Sequence, residues 1–120
     1  SEPGAQLQEY LGAFEGLFSS FRKEVCKCFG ETGEELVARA EEKVRLRTPG
    51  FNAGLLDRER VLSVLDLIET IIAQVSIFKR SKLRRAALTQ VSELYARHYG
   101  ILREFQAVDA LEQFYYRMKK

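Results

Sequence analysis

Apolar residues recur along this chain at three- and four-residue spacing, the period of an α-helix and not the two-residue alternation of a strand. The densest run lies between Arg58 and Phe78, where Val61, Val64, Leu65, Leu67, Ile68, Ile71, Ile72, Val75 and Phe78 share one broad face. At about 100° per residue these positions cover roughly 160° of a helix circumference. A helix resting on a surface needs a narrower stripe, so the pattern predicts a central helix over about 58–78, enclosed by several neighbours.

The flanking segments read as further helices. A first helix is predicted from about Gly4 to Phe29. Pro3 suits its first turn, where a missing N–H costs nothing, and Leu7, Tyr10, Phe14, Leu17, Phe18, Phe21 and Val25 lie on its inner face. Gly30 supplies the left-handed residue that ends a helix. A second helix, Gly33 to Leu46, carries a thinner stripe (Leu36, Val37, Ala40, Val44), with Thr32 and Glu35 in capping-box spacing. Residues 47–56 form the one clear loop, with a Pro49-Gly50 turn and with Phe51, Leu55 and Leu56 expected to fold back onto the core. Asp57 is the expected cap of the central helix. Ser81 is expected to cap a fourth helix bearing Leu83, Ala87, Val91, Leu94, Tyr95 and His98. Gly100 is the expected break before a fifth helix with Ile101, Phe105, Val108, Leu111, Tyr115 and Met118. The expected fold is all-α: a compact bundle of four to five helices forming a single domain over residues 1–120. A start at Ser1 instead of Met suggests a domain excised from a longer protein.

Composition narrows the class. Hydrophobic residues make up 46% and charged residues 30%, too apolar for an intrinsically disordered chain. No apolar run reaches the roughly 18 residues of a membrane span, and no charged amino end followed by an apolar run marks a signal peptide. Cys26 and Cys28 are the only cysteines. Two apart on a helix they point to nearly opposite sides, which suits reduced thiols, so an intracellular location, cytoplasmic or nuclear, is expected. Net charge is +2, unevenly spread: residues 1–57 hold seven Lys/Arg against ten Asp/Glu (−3), and residues 58–120 hold twelve against seven (+5). The imbalance can orient a partner but is small for a nucleic-acid binder.

Candidate chemistry is sparse. There is no phosphate-binding glycine loop, no dinucleotide fingerprint and no metal-ligand spacing, so no cofactor or metal is expected and the chain is read as non-enzymatic. His98, the only histidine, has no oriented nucleophile in a recognisable motif and reads as a core-boundary residue. Gly12 and Gly16 form a GxxxG pattern. In water it means either close packing of a neighbouring helix or a shallow groove for a partner helix. Thr48-Pro49, after Arg45 and Arg47, is a candidate phosphorylation site, the phosphate then lying beside two arginines. The strongest polar anomaly is the basic junction Lys79, Arg80, Lys82, Arg84 and Arg85. It reads either as a solvated helix junction or as a grip for phosphates, an acidic peptide or an anionic surface.

The segment from Leu55 to Phe105 bears a distant resemblance to the TFIIS amino-terminal-like domains of transcription elongation factors. It is carried by one apolar helix, the junction FKRSKLRR (78–85) and the helix SELYARHYGILREF (92–105). The family's usual tryptophan is absent. The resemblance covers less than half the chain and implies a small helical bundle that takes a short acidic-hydrophobic peptide.

These readings converge on a protein–protein interaction domain, an adaptor or scaffold that docks a partner helix or short peptide. Phe18, Phe114 and Tyr115 are the candidate apolar anchors; Phe114 lies beside the expected stripe, so either that face is wide or the aromatic is offered to a partner. The alternative is acidic-peptide, nucleic-acid or anionic-surface binding through residues 79–85. A homodimer or hetero-oligomer is a further possibility, since positions 7, 14, 21 and 28 are spaced as in a heptad for about two repeats.

Overall fold

A computed structural model describes residues 3–120. It contains five helices: α1 (Pro3–Phe29), α2 (Glu31–Arg47), α3 (Ser63–Ala73), α4 (Ile77–Glu104) and α5 (Val108–Lys119). No strand occurs among the described residues, as the periodicity predicts.

α1 and α2 make a tight hairpin. Gly30 sits at φ 60° and its N–H donates to Cys26 O at 2.7 Å, closing α1 as expected. A turn later a Cβ on Gly33 would lie 3.0 Å from Val25 O, so glycine there lets the two backbones approach. The Thr32–Glu35 capping box does not form: α2 starts at Glu31, and Gly30, its N-cap, has no side-chain cap bond. Glu31 and Glu34 in the first turn oppose the positive end of the helix dipole instead.

The loop after α2 is pinned by side chains. Gly50 has φ 89°, and a Cβ there would lie 2.7 Å from Arg60 Nε. That guanidinium donates to Pro49 O and to Asp57 Oδ2, both at 2.9 Å. Phe51 and Leu56 enter the core, whereas Leu55 is exposed.

The central helix is shorter than predicted. Residues 57–62 wind as turns with i→i+3 backbone bonds, and the α-helix spans only Ser63–Ala73. Asp57 caps the first of those turns, accepting from Arg60 N at 2.9 Å. Eight of the nine residues on the predicted face are buried all the same; the exception is Phe78, 92% exposed. The chain changes direction at Ser76 (φ −65°, ψ 156°), which occupies the N-cap position expected of Ser81. Phe78 therefore lies on a new helix with its own phase. Arg80 reaches back over the junction and donates to Val75 O at 2.9 Å and Ala73 O at 3.0 Å. It satisfies carbonyls that the end of α3 leaves open.

α4 is the longest helix, 28 residues. His98 departs from helical geometry (φ −123°, ψ 22°) and kinks it two residues before the expected break at Gly100. The helix resumes and ends around Gln106, at φ 59°. Ala107 N donates to Leu102 O at 2.8 Å and Gln106 N to Arg103 O at 3.0 Å, the paired bonds of a Schellman turn. α5 then begins at Val108 and buries Leu111, Phe114 and Met118.

α1 runs antiparallel to α4, α4 to α5 and α2 to α3, as cross-helix pairs show: Glu9 with His98, Tyr95 with Glu112, Arg47 with Asp66, and Gln74 with Leu36. α3 packs against α1, α2 and α4, and Arg117 on α5 holds Glu69. Phe14, Phe21, Phe51, Leu67, Ile68, Leu83 and Phe114 fill the interior. At the end where α1 starts and α4 finishes, Tyr10 stacks on Phe105 at 4.4 Å, and Arg58 lies over the Phe105 ring at 4.9 Å from its centre.

Candidate binding surfaces on helices α4 and α5

The first surface is the α3–α4 junction. Lys79, Lys82 and Arg85 are exposed, Arg84 is half-buried, and Arg80 is committed to the end of α3. Among the described residues none of these five has a carboxylate within salt-bridge distance. The cause is local composition, since residues 70–92 contain no Asp or Glu. Between the first turns of α4 and the end of α5 lies a recess of about 510 Å³, walled by Ile77, Arg84, Leu88, Met118, Lys119 and Lys120. Arg84 Nε is buried there without a hydrogen-bond partner. Ile77 is 77% and Phe78 92% exposed, so an apolar tip stands beside the cations. The basic run was legible in the sequence. The tip was not, because Phe78 fits the apolar face of the preceding helix.

The second surface is a groove between α4 and α5. Its volume is about 510 Å³ and Val91, Tyr95, Leu111, Glu112, Tyr115 and Tyr116 line it. Tyr95 OH donates to Glu112 Oε2 at 3.3 Å, the Tyr95 and Tyr99 rings lie 5.2 Å apart, and Lys119 Nζ sits 5.9 Å from the Tyr115 ring centre. Tyr116 is 71% exposed. Of the three apolar anchors expected, only Tyr115 belongs to this groove. Phe114 is fully buried and Phe18 nearly so, so neither is offered to a partner. Phe114 looked offset because the fifth helix was phased from Gly100. The α5 seam runs 111, 114, 118, which turns Phe114 inward and Tyr115 to the edge. Tyr95 and Tyr116 were missed as a pair because they meet only across the antiparallel helices.

A third, smaller recess of about 250 Å³ separates α1 from α4 and is bordered by Gly12, Gly16, Ser20, Gln90, Arg97 and His98. Cβ atoms built on Gly12 and Gly16 would meet nothing within 4 Å. Close packing is therefore not what these glycines serve, and of the two readings of the GxxxG pattern the shallow groove describes the geometry. His98 Nδ1 lies 3.2 Å from Glu9 Oε2 on the rim.

The remaining sequence candidates are used locally. Thr48 ends α2, its N–H donating to Val44 O, and it is half-buried. The two arginines expected to receive a phosphate there are engaged elsewhere: Arg45 with Glu41 and Phe51 O, Arg47 with Asp66 and Thr70. Cys26 and Cys28 are free thiols. Cys26 Sγ donates to Glu34 Oε1 at 3.1 Å, and Arg22 also bonds to Glu34. The hydrogen bond to Glu34, with some desolvation, pushes the Cys26 thiol above its ordinary range, while the bonds from Arg22 and then Cys26 hold the Glu34 carboxyl below its own. Among the described residues no group of three or more His, Cys, Asp or Glu gathers as metal ligands would, and no helix is long and apolar enough to cross a membrane.

No family model matches the chain, and no curated protein or solved structure is significantly similar to it. The resemblance of residues 55–105 to the TFIIS-like domains rests on the residues quoted for it and carries no part of the functional reading.

Proposed function

We propose that this chain is a non-enzymatic protein-interaction domain, of adaptor or scaffold type, that seats an amphipathic partner helix in the α4–α5 tyrosine groove. The observation that supports it is the groove's wall: Tyr95, Tyr115 and Tyr116 stand over Val91 and Leu111, an aromatic and apolar recess that the bundle leaves uncovered. Tyrosine combines large contact area with a polar hydroxyl and is enriched among residues that dominate interface energetics. Glu112 and the tyrosine hydroxyls at the rim can fix the register of a bound helix, while the floor takes its apolar residues at three- and four-residue spacing. Binding of this kind is nearly insensitive to salt and has a negative heat-capacity change.

The test is an affinity capture from nuclease-treated lysate with partners identified by mass spectrometry. Tyr95→Ala/Tyr116→Ala and Lys82→Glu/Arg84→Glu/Arg85→Glu variants are run beside the parent, each checked for helicity. Partners lost with the tyrosine variant and kept with the charge-reversed one support the groove. The opposite pattern rejects it. A second reading rests on the unpaired cations of 79–85: an anionic ligand at the α3–α4 junction, with binding that weakens steeply as salt rises.

A further inference from the structure

The α3–α4 end combines three features that the tyrosine groove does not. Ile77 and Phe78 are adjacent, large and almost fully exposed. Lys79, Lys82, Arg85, Lys119 and Lys120 are exposed in the same part of the molecule, and residues 70–92 and 113–120 contain no acidic residue. A recess of about 510 Å³ is lined by Ile77, Arg84, Arg85, Lys119 and Lys120. We infer that this end docks on an anionic lipid bilayer. Ile77 and Phe78 enter the boundary between headgroups and acyl chains, and the exposed cations, with Arg84 behind them, lie along the headgroups.

Shape separates this occupant from the other anionic ones. A peptide's apolar side chains need an apolar hollow, yet the apolar residues here project: Phe78 is 92% exposed and therefore has almost no protein surface around its ring. A nucleic acid calls for successive aromatic platforms along a basic groove, whereas Phe78 is the one aromatic in residues 76–94, and its neighbour Ile77 is aliphatic. A protruding apolar pair with cations at its base matches an interfacial bilayer contact, where apolar burial and attraction to anionic headgroups act together. Arg80 is excluded from the contact because its guanidinium is engaged with Val75 O and Ala73 O.

The experiment is co-sedimentation of the 120-residue chain with large vesicles of phosphatidylcholine alone or with about 30 mol% phosphatidylserine, at about 0.1 M and 0.5 M salt. The variants are Lys82→Gln/Arg85→Gln, Arg84→Gln and Phe78→Ser, with helicity confirmed for each. The expected result is binding to the phosphatidylserine vesicles only, largely lost at the higher salt. Each neutralised cation lowers partitioning about fivefold, so the double variant falls about 25-fold, and Phe78→Ser lowers it about tenfold. Equal binding to neutral vesicles, or none to anionic ones, overturns the inference. So does an unchanged Phe78→Ser variant, which leaves adsorption by charge alone, or capture by a soluble acidic peptide without vesicle binding. A Tyr95→Ala/Tyr116→Ala protein is expected to bind vesicles like the parent, so this result and that for the groove stand or fall separately.

Discussion

Phe78 and Phe105 stand at opposite ends of the same helix, each in company with basic side chains, and the fold uses them in opposite ways. Phe105 is covered: Tyr10 stacks on its ring at 4.4 Å and the Arg58 guanidinium lies 4.9 Å from the ring centre. Phe78 is 92% exposed, and the lysines beside it have no acidic partner among the described residues. The difference lies in what the neighbouring chain supplies. The start of α1 brings a ring to Phe105, and the turns before α3 bring a cation. Among the described residues no element covers the Phe78 ring. An aromatic beside a cation is thus a structural clamp when a second element covers it, and an unused contact surface when none does.

The most direct way to break this comparison is to remove each ring. Phe105→Ala is expected to lower unfolding free energy by about 2 kcal/mol, below the roughly 3–5 kcal/mol of a fully buried phenylalanine because Phe105 is half-buried. Phe78→Ala should stay within about 0.5 kcal/mol. Urea titrations followed by circular dichroism measure both, and equal losses would mean that the two ends are not different in kind.

The cations divide the same way. Arg80→Ala leaves carbonyls at the end of α3 without their donor and should cost about 1–2 kcal/mol, whereas Lys82→Ala, at an exposed side chain with no ion-pair partner among the described residues, should cost less than about 0.5 kcal/mol. If the two substitutions prove alike, Arg80 belongs with the surface charges.

A smaller effect, of opposite sign, sharpens the comparison between surfaces that pack and surfaces that do not. Gly12→Ala and Gly16→Ala meet no neighbouring atom, so each should stabilise the fold by up to about 1 kcal/mol through helix propensity. Destabilisation by either would reinstate close packing against α4.

The smallest effect is chemical. Glu34 holds the proton on Cys26 by accepting from its thiol, so the thiolate is disfavoured. Glu34→Gln removes the carboxylate charge and lowers the thiol's pKa towards its ordinary value, so alkylation of Cys26 near pH 8 should speed up. Peptide mapping after timed iodoacetamide treatment reports it, and an unchanged rate would show that the bond to Glu34 does not govern the thiol.

The class of fold was legible because it depends on a period. Val61, Val64, Leu65, Leu67, Ile68, Ile71, Ile72 and Val75 are all buried as predicted, although the first and the last of them lie outside the α-helix, since tight turns present nearly the same face. What periodicity does not carry is phase across a junction. Ser76 redirects the chain, and Phe78 moves from core to tip, while Leu83, Ala87, Val91 and Leu94 are buried as expected. The same limit misplaced the end of α4. Glycine is the favoured left-handed residue, which drew the break to Gly100, but the chain turns at Gln106, where a non-glycine residue accepts about 1 kcal/mol of strain. That shift of phase is why Phe114 falls beside the expected stripe although it is buried. The basic junction was legible residue by residue. The tyrosine groove was not, because it exists only once α5 folds back on α4.

The antiparallel pairing of α1 with α4 has a consequence in time. Glu9 and its partner His98 are separated by 89 positions, which at about 5–20 residues per second is roughly 4–18 seconds of synthesis. The hairpin with α2 can close early, since one residue joins the two helices. The strip of α1 that later meets α4 stays open to other proteins throughout that interval. A nascent chain halted before α4 would expose that strip, and a chaperone that recognises short apolar stretches would find its target there.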